Sequence, residues 1–373
     1  MLKPAAFPLI LLSFFNPPNS SSQTDQIKGS IQDAKSNKSL AFANVFLNKT
    51  TIGVVADSSG HFQINNVPVG TYEIVGSFIG YVSFRNTIEI KEGKILYAEI
   101  KLTGEARKLD EVIVVVKKDK EWERNLQKFN RIFLGTGKEA KGCRIVNPWI
   151  LDFNYENISG RKIFSAKAPQ PLEIENLYLG YRLFYYLKDF SAQGGAYSTV
   201  AYSIFGDQRF EALKTNDTTI IKQWNNRRME TYVGSYRHLF KAIVDHRLKE
   251  EGFDLFFENE TKKDVFNPKS ASTTNSMALD PNKIKVSTLA EGHYKIELLK
   301  TEVHYKRRYI SEGGYTTYDL EVSLLNPKNG FLVVDSNGVV LNSADLVVSG
   351  AMFENRVASH LPNDFQPIFN VKQ

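Results

Sequence analysis

The sequence predicts a mainly β protein in two parts: a seven-stranded β-sandwich, followed by a mainly β α+β domain with a few helices. Short segments of alternating polar and apolar residues, separated by turn residues, fill roughly the first hundred positions. Aromatic-rich segments of the same kind continue after residue 140. The length of 373 residues and a hydrophobic content of 42% are sufficient for a core in each part.

Residues 57–81 are the clearest part of the predicted sandwich. Residues 57–60, Asp-Ser-Ser-Gly, form a turn, because Asp bonds to its own downstream backbone and Gly tolerates positive φ. Residues 61–65 alternate polar and apolar, as expected of a half-buried strand. A second turn at 67–70 contains Pro and Gly, and a second alternating strand covers 72–78.

Five further segments complete the set of seven strands. They cover residues 27–31, 43–47, 52–55, 83–90 and 95–102. Seven short strands with frequent turns indicate an immunoglobulin-like antiparallel sandwich.

Four segments of this region resemble a known family. They are GSI at 29–31, DSSGHF at 57–62, VPVGTY at 67–72 and FIGY at 78–81. In this order they are similar to the carboxypeptidase-D regulatory-like (transthyretin-like) domain, here residues 26–103. The resemblance implies an accessory module of the kind found beside metallocarboxypeptidases and at the N-terminus of many Gram-negative envelope proteins. In none of these is the module itself the catalyst.

Residues 1–22 are predicted to be a signal peptide. Lys3 provides a minimal positive region, residues 7–15 are apolar, and residues 16–23 are polar and suit cleavage near Ser22. The alternative is a disordered cytoplasmic leader. No run of 18 apolar residues is present, so no transmembrane helix is expected. With the resemblance, export implies a protein of the periplasm or associated with the outer membrane.

Residues 104–120 are predicted to be a linker or an added strand. A polar segment at 104–108 precedes an apolar β-branched run at 109–116, and a charged run ends at Lys120. The apolar run resembles the segment that follows this module in TonB-dependent receptors. A final edge strand over 112–116 is the simpler interpretation.

Residues 121–373 are predicted to form the second domain. Trp122, Leu126, Phe129 and Phe133 give one apolar helical face. Strands are expected at 150–155, 161–165, 180–187, 199–205 and 253–257, and a β-meander between 294 and 342. Segments such as 147–148 and 361–365 are similar to the C-terminal part of exported proteins known only by the same N-terminal module.

A second helix is predicted over residues 236–251. Ser235 suits its N-cap and Gly252 suits the position after its end. Tyr236 belongs to the apolar stripe of this helix, whereas His238 falls on the solvent-facing side.

The sequence lacks the residues for a metallocarboxypeptidase zinc site and for sites built from cysteines. None of the six histidines has a Glu three positions later, so the zinc motif of a metallocarboxypeptidase is absent. Cys143 is the only cysteine, which excludes an intramolecular disulfide and a cysteine-based zinc site. No cofactor is expected. The net charge of +6 is spread among interspersed acidic and basic residues, and no nucleic-acid-binding module accompanies it.

The best candidate ligand site is a cluster of aromatic and cationic residues. It comprises Trp224, Arg227, Arg228, Tyr232, Arg237 and His238. Such groups suit a glycan or an anionic ligand. The alternative is that the aromatic residues pack in the core and the arginines pair with acids.

Two functions follow as expectations. The first is an exported, non-catalytic binding or assembly protein of the cell envelope, with an envelope glycan or an envelope protein as partner. The second is a hydrolase of envelope polymers, with the sandwich as targeting module. Two catalytic carboxylates would suffice for a glycosidase, and the 41 acidic residues do not single out a pair.

Overall fold

The computed structural model describes residues 25–105, 119–194, 199–257, 277–281, 284–290, 292–310, 316–354 and 356–368. The predicted signal peptide and the predicted edge strand at 112–116 lie outside the described residues.

The N-terminal part is a sandwich of two four-stranded sheets. Its strands are β1 (Gln26–Asp33), β2 (Asn44–Leu47), β3 (Gly53–Val55), β4 (His61–Ile64), β5 (Gly70–Ser77), β6 (Tyr81–Val82), β7 (Phe84–Ile90) and β8 (Ile95–Gly104). One sheet has the order β4-β1-β8-β6 and the other β3-β2-β5-β7. All seven predicted strands are confirmed, and the two-residue β6 is an addition.

The pairing of β1 with β8 differs from the antiparallel prediction. These two strands run parallel, with Gln26 opposite Ile95 and Asp33 opposite Leu102. They are the first and last strands of the sandwich, so no tight hairpin forces an antiparallel arrangement on them. Their inward residues, including Ile27, form the core between the sheets.

The middle of the chain forms a sheet covered by a helix. Its elements are α1 (Lys120–Phe133), α2 (Lys138–Lys141), β9 (Cys143–Ile145), β10 (Asp152–Ile158), β11 (Arg161–Lys167), β12 (Leu172–Asn176), β13 (Tyr181–Gly194) and β14 (Thr199–Ala212). The Asp119 carboxylate caps α1 by accepting the Trp122 N–H at 2.9 Å. Phe129 and Phe133 of this predicted helix pack on the aromatic core of β13.

The described residues of the last part contain two α-helices and two further sheets. Its elements are α3 (Thr218–Tyr232), α4 (Tyr236–Val244), β15 (Phe253–Phe257), β16 (Met277–Ala278), β17 (Lys285–Ala290), β18 (His293–Glu297), β19 (Thr301–Ile310), β20 (Thr316–Pro327), β21 (Phe331–Asp335) and β22 (Leu346–Gly350). The sheets have the orders β16-β15-β19-β20-β22 and β17-β18-β21. The predicted meander is therefore wrong, because β18 pairs with β21 and not with β19.

Helix α4 differs from its prediction in length and orientation. Ser235 caps it as expected, with its hydroxyl accepting the His238 N–H at 3.2 Å. The helix ends at Val244, and His246 follows with a φ of 57°, so the predicted end at Glu251 is wrong. His238 is buried and Tyr236 is 40% exposed, which is the reverse of the prediction. The cause is tertiary, because aromatic rings of neighbouring elements surround the imidazole.

Candidate functional site

Three of the four cluster residues on α3 hold the turn at residues 177–180. The Trp224 indole N–H donates to the first carbonyl of this turn at 3.0 Å. Arg227 lies over the Tyr178 ring, 4.5 Å from its centroid, and donates to the carbonyl of the same residue at 3.4 Å. Arg228 donates to the next two carbonyls at 2.8 and 3.1 Å. These contacts attach α3 to the end of the middle sheet.

The other three cluster residues lie where α3 meets α4. Tyr232, Arg237 and His238 are all buried. The Arg237 guanidinium donates to the carbonyls of Pro362 and Phe365 at 3.0 and 2.7 Å. Because guanidinium to carbonyl bonds are charge-assisted, Arg237 is one strong anchor of the C-terminal segment.

His238 is bonded on both ring nitrogens. Its Nδ1 accepts the Gly234 N–H at 3.1 Å, and its Nε2 lies 3.2 Å from a Glu251 carboxylate oxygen. Burial lowers the pKa of His238, and the Glu251 carboxylate opposes this shift. The neutral imidazole, with its proton on Nε2, satisfies both contacts.

The structure thus divides the predicted cluster into two groups, one at the turn and one between the helices. The contacts above fit the alternative interpretation, in which these residues stabilise the fold. They differ from it in one respect, because the arginines bond to backbone carbonyls and not to acidic side chains. A ligand-binding role for the six residues stays a prediction.

The outer face of the β3-β2-β5-β7 sheet packs against the middle sheet, and we call it the docked face. Phe46 on β2 and Val75 on β5 are fully buried there, with Tyr186 of β13. The Phe46 and Tyr186 rings stack with their centroids 5.2 Å apart. Sequence reasoning did not identify this interface.

Backbone hydrogen bonds join the docked face to β14. The turn after β2 contributes the Lys49 N–H, which donates to the Gln208 carbonyl at 2.7 Å. The Phe210 N–H donates to the Thr50 carbonyl at 2.9 Å. The Asn48 side-chain oxygen accepts the Gln208 N–H at 2.9 Å. The turn therefore extends the edge of the middle sheet as a short parallel bridge.

A buried carboxylate links charges from both sides of the docked face. The Asp207 side chain is fully buried. It contacts the Arg85 guanidinium from the sandwich, and the Lys188 ammonium lies 2.7 Å away. Glu73 lies 3.6 Å from Arg85. Because a buried charge needs compensation, this network is sensitive to the loss of one member.

The C-terminal segment covers one end of the docked face. The Asn363 N–H donates to the Lys49 carbonyl at 2.7 Å. The His360 Nδ1 lies 3.0 Å from the Gln208 side-chain oxygen. Burial, with the positive charge of Lys49, lowers the pKa of His360 to about 4. His360 is therefore neutral at pH 7.

An open groove of about 830 Å³ lies on the outer side of the other sheet, which we call the open face, and Val54 and Val55 of β3 also line this groove. The register places Gln63, Lys28 and Tyr97 in one row across β4, β1 and β8. His61, Ser30 and Glu99 form the next row. Tyr97 is 75% exposed.

Charge in and beside the groove is close to balanced. The Asp57 carboxylate accepts the N–H groups of His61 and Ser59 at 2.9 and 2.8 Å, and these bonds lower its pKa. Glu99 and Lys28 also line the groove, and the Glu99 carboxylate lies 3.4 Å from the Lys101 ammonium. Sequence reasoning did not nominate this groove. A signal was present, since Tyr97 shares the polar side of its strand with Glu99.

The described ranges contain no group of three or more His, Cys, Asp or Glu side chains that could hold a metal ion. No helix within them is long and apolar enough to cross a membrane.

Comparison with protein families identifies the sandwich. Residues 27–114 match the model of the CarboxypepD_reg-like domain. The N-terminal part of the chain is thus a domain of this type, as the resemblance of its motifs indicated. No curated protein matches the chain.

Solved structures show limited likeness. The pilus 2b backbone protein of group B streptococcus is 15% identical, over 22% of this chain and 42% of that chain, with a TM-score of 0.19. A cohesin–X-dockerin complex of Acetivibrio cellulolyticus is 25% identical, over 21% and 52%, with a TM-score of 0.16. BcpA, the major pilin subunit of Bacillus cereus, is 9% identical, over 91% and 85%, with a TM-score of 0.19. This chain thus spans about half or less of the length of the first two of these solved chains.

Proposed function

We propose that this chain is an exported, non-catalytic binding or assembly protein of the cell envelope. The CarboxypepD_reg-like sandwich is its binding module, and the second part of the chain holds that module in a fixed orientation. The partner is an envelope glycan or an envelope protein. Export is supported by the composition of residues 1–22.

The difference between the two faces of the sandwich carries this proposal. The docked face is covered by β13 and β14 through stacked rings, backbone bonds and a buried ionic network. The open face keeps a groove with an exposed aromatic ring among polar side chains. A module fixed by one face can present the other to a partner without losing the entropy of domain movement.

The buried ionisable groups support a structural role for the remaining part. Asp207, Arg237 and His238 each bond to groups of other segments of the chain. Catalysis by these groups would require them to exchange those bonds for substrate contacts. In a buried site such an exchange costs about 1–3 kcal/mol for each unsatisfied group.

A co-sedimentation experiment tests this function. The full chain is incubated with isolated outer membranes and with peptidoglycan sacculi, and both the pellet and the soluble fraction are analysed. We expect the protein in at least one pellet, with no soluble saccharide or peptide released. Release of fragments would favour the hydrolase alternative, and absence from both pellets would contradict envelope binding.

Fractionation of cells that express the complete chain tests its location. We expect the protein in the periplasm or with the outer membrane. Its retention in the cytoplasm would contradict the export part of the proposal and favour the cytoplasmic leader.

A further inference from the structure

We propose that the groove on the open face binds a neutral glycan chain, with Tyr97 as the ring against which a sugar packs. This inference rests on the proposed binding function and names its site and ligand class. Its evidence comes from the backbone pairing, the side chains and the charges of the groove.

The backbone at the centre of the groove is not available to a peptide strand. Strand β1 pairs with β4 along one edge, from Ile27 to Ser30, and with β8 along the other, from Gln26 to Asp33. Recognition of an extended peptide by strand addition requires an unpaired edge. A ligand lying over β1 must therefore be recognised by side chains.

The side chains combine one exposed ring with several polar groups. Tyr97 lies in the row of Lys28 and Gln63, and the row of His61 and Glu99 is about 6.7 Å further along the strands. A sugar ring has an apolar face of C–H groups and a rim of hydroxyls. The tyrosine ring suits the first, and the amide, ammonium and carboxylate groups suit the second.

The charges of the groove favour a neutral ligand over an anionic one. Two carboxylates, Asp57 and Glu99, line the groove with the Lys28 ammonium, and the Lys101 ammonium lies 3.4 Å from Glu99, so the charges are close to balanced. The bonds from the His61 and Ser59 amides lower the pKa of Asp57, so it is ionised at neutral pH. The lining therefore holds no surplus of cations to attract a phosphorylated or uronate-rich chain, whereas hydroxyl donors gain carboxylate acceptors.

The dimensions also suit a short stretch of polysaccharide. A volume of about 830 Å³ lies within the range of roughly 300–1,000 Å³ that is usual for ligand sites. The groove runs over an exposed sheet surface, so a long chain can continue beyond it.

Isothermal titration of the full chain with defined oligosaccharides tests the proposal. The neutral probes are cellohexaose, maltohexaose and the hexamer of N-acetylglucosamine, and a hexamer of galacturonate is the anionic control. We expect at least one neutral probe to bind, with little change in affinity when salt is added, and the galacturonate to bind more weakly. If none of the neutral probes binds at millimolar concentration, the proposal is overturned.

Three variants locate the site. Tyr97→Ala is expected to weaken binding by about tenfold or more, as loss of a central aromatic contact does. Tyr97→Phe keeps the ring and is expected to stay within about threefold, since only the hydroxyl contribution is lost. Tyr318→Ala removes another exposed tyrosine, far along the chain, and is the matched control. Equal affinity of wild type and Tyr97→Ala would overturn the proposal.

Failure of the glycan groove can be distinguished from failure of the proposed binding function. If Tyr97→Ala still co-sediments with envelope material as wild type does, the chain is a binding protein whose contact lies elsewhere. Capture of an envelope protein that is unaffected by Tyr97→Ala has the same meaning. In both cases the glycan groove is rejected and envelope binding stands.

Discussion

The two outer faces of the sandwich each belong to a four-stranded sheet, but one face is covered by the middle sheet and the other is exposed. On the docked face Phe46 is fully buried against Tyr186, and a fully buried Asp207 links two cations. On the open face Tyr97 occupies an equivalent outward position and is 75% exposed. Alternation along a strand shows which side chains leave the sandwich core. It does not show what those side chains meet outside it.

The largest expected effect comes from truncating the aromatic contact of the docked face. Phe46→Ala should lower the free energy of unfolding by about 3–5 kcal/mol, because a fully buried ring leaves a cavity. Urea unfolding measures this loss. The control is Phe42→Ala, which removes an exposed ring of the same sandwich. If both variants lose less than about 1 kcal/mol, the docked face is not an interior surface.

Loss of the buried carboxylate should cost about 3 kcal/mol. Asp207→Ala removes a fully buried carboxylate and leaves Arg85 and Lys188, whose side chains are 26% and 34% exposed, without their common partner. Asp189→Ala, which removes an exposed aspartate from the same hairpin, is the matched control. Thermal unfolding should separate the two variants clearly. Equal unfolding temperatures would show that the network contributes little.

Acidification should weaken the docked face through His360. Its folded pKa is about 4, below the value near 6.5 of an unfolded chain, so the unfolded state binds protons first. The contribution of the neutral His360 to the free energy of unfolding is complete above pH 6.5. It is lost as the pH falls to about 4, and the total loss is at most about 3 kcal/mol. Unfolding of wild type and His360→Gln across this range isolates the effect. Parallel pH profiles would contradict it.

The smallest expected effect on stability lies on the open face. Tyr97→Ala should change the free energy of unfolding by no more than about 0.5 kcal/mol, because the ring is mostly in water. Urea unfolding of Tyr97→Ala and Phe46→Ala under the same conditions compares the two losses of stability directly. A loss above about 2 kcal/mol would mean that the ring packs against part of the chain, and the open face would not be open.

The sequence predicted the sandwich well because its signals are local. Turns such as 57–60 and alternation such as that of His61–Ile64 lie within a few residues of each other. Helix α1 was predictable for the same reason, since one apolar face and the Asp119 cap are both local.

The errors arise where tertiary contacts decide. Helix α3 has no continuous apolar stripe, and only Tyr232 of its side chains is buried, so periodicity does not reveal it. The orientation of His238 depends on rings from β15 and β19. Arg85 and Asp207 are 122 positions apart, and no local pattern connects them. The docked face, and with it the distinction between the two faces, therefore required the structure.

Native-state hydrogen exchange at the docked face tests the central claim most directly. The amides of Lys49 and Phe210 are bonded across the interface, whereas the Lys94 amide closes a turn within the sandwich, to the Lys91 carbonyl. If the sandwich is fixed by its docked face, Lys49 and Phe210 should exchange as slowly as core amides and far more slowly than Lys94. Exchange of all three at the same fast rate would show that the sandwich moves independently and would contradict the account.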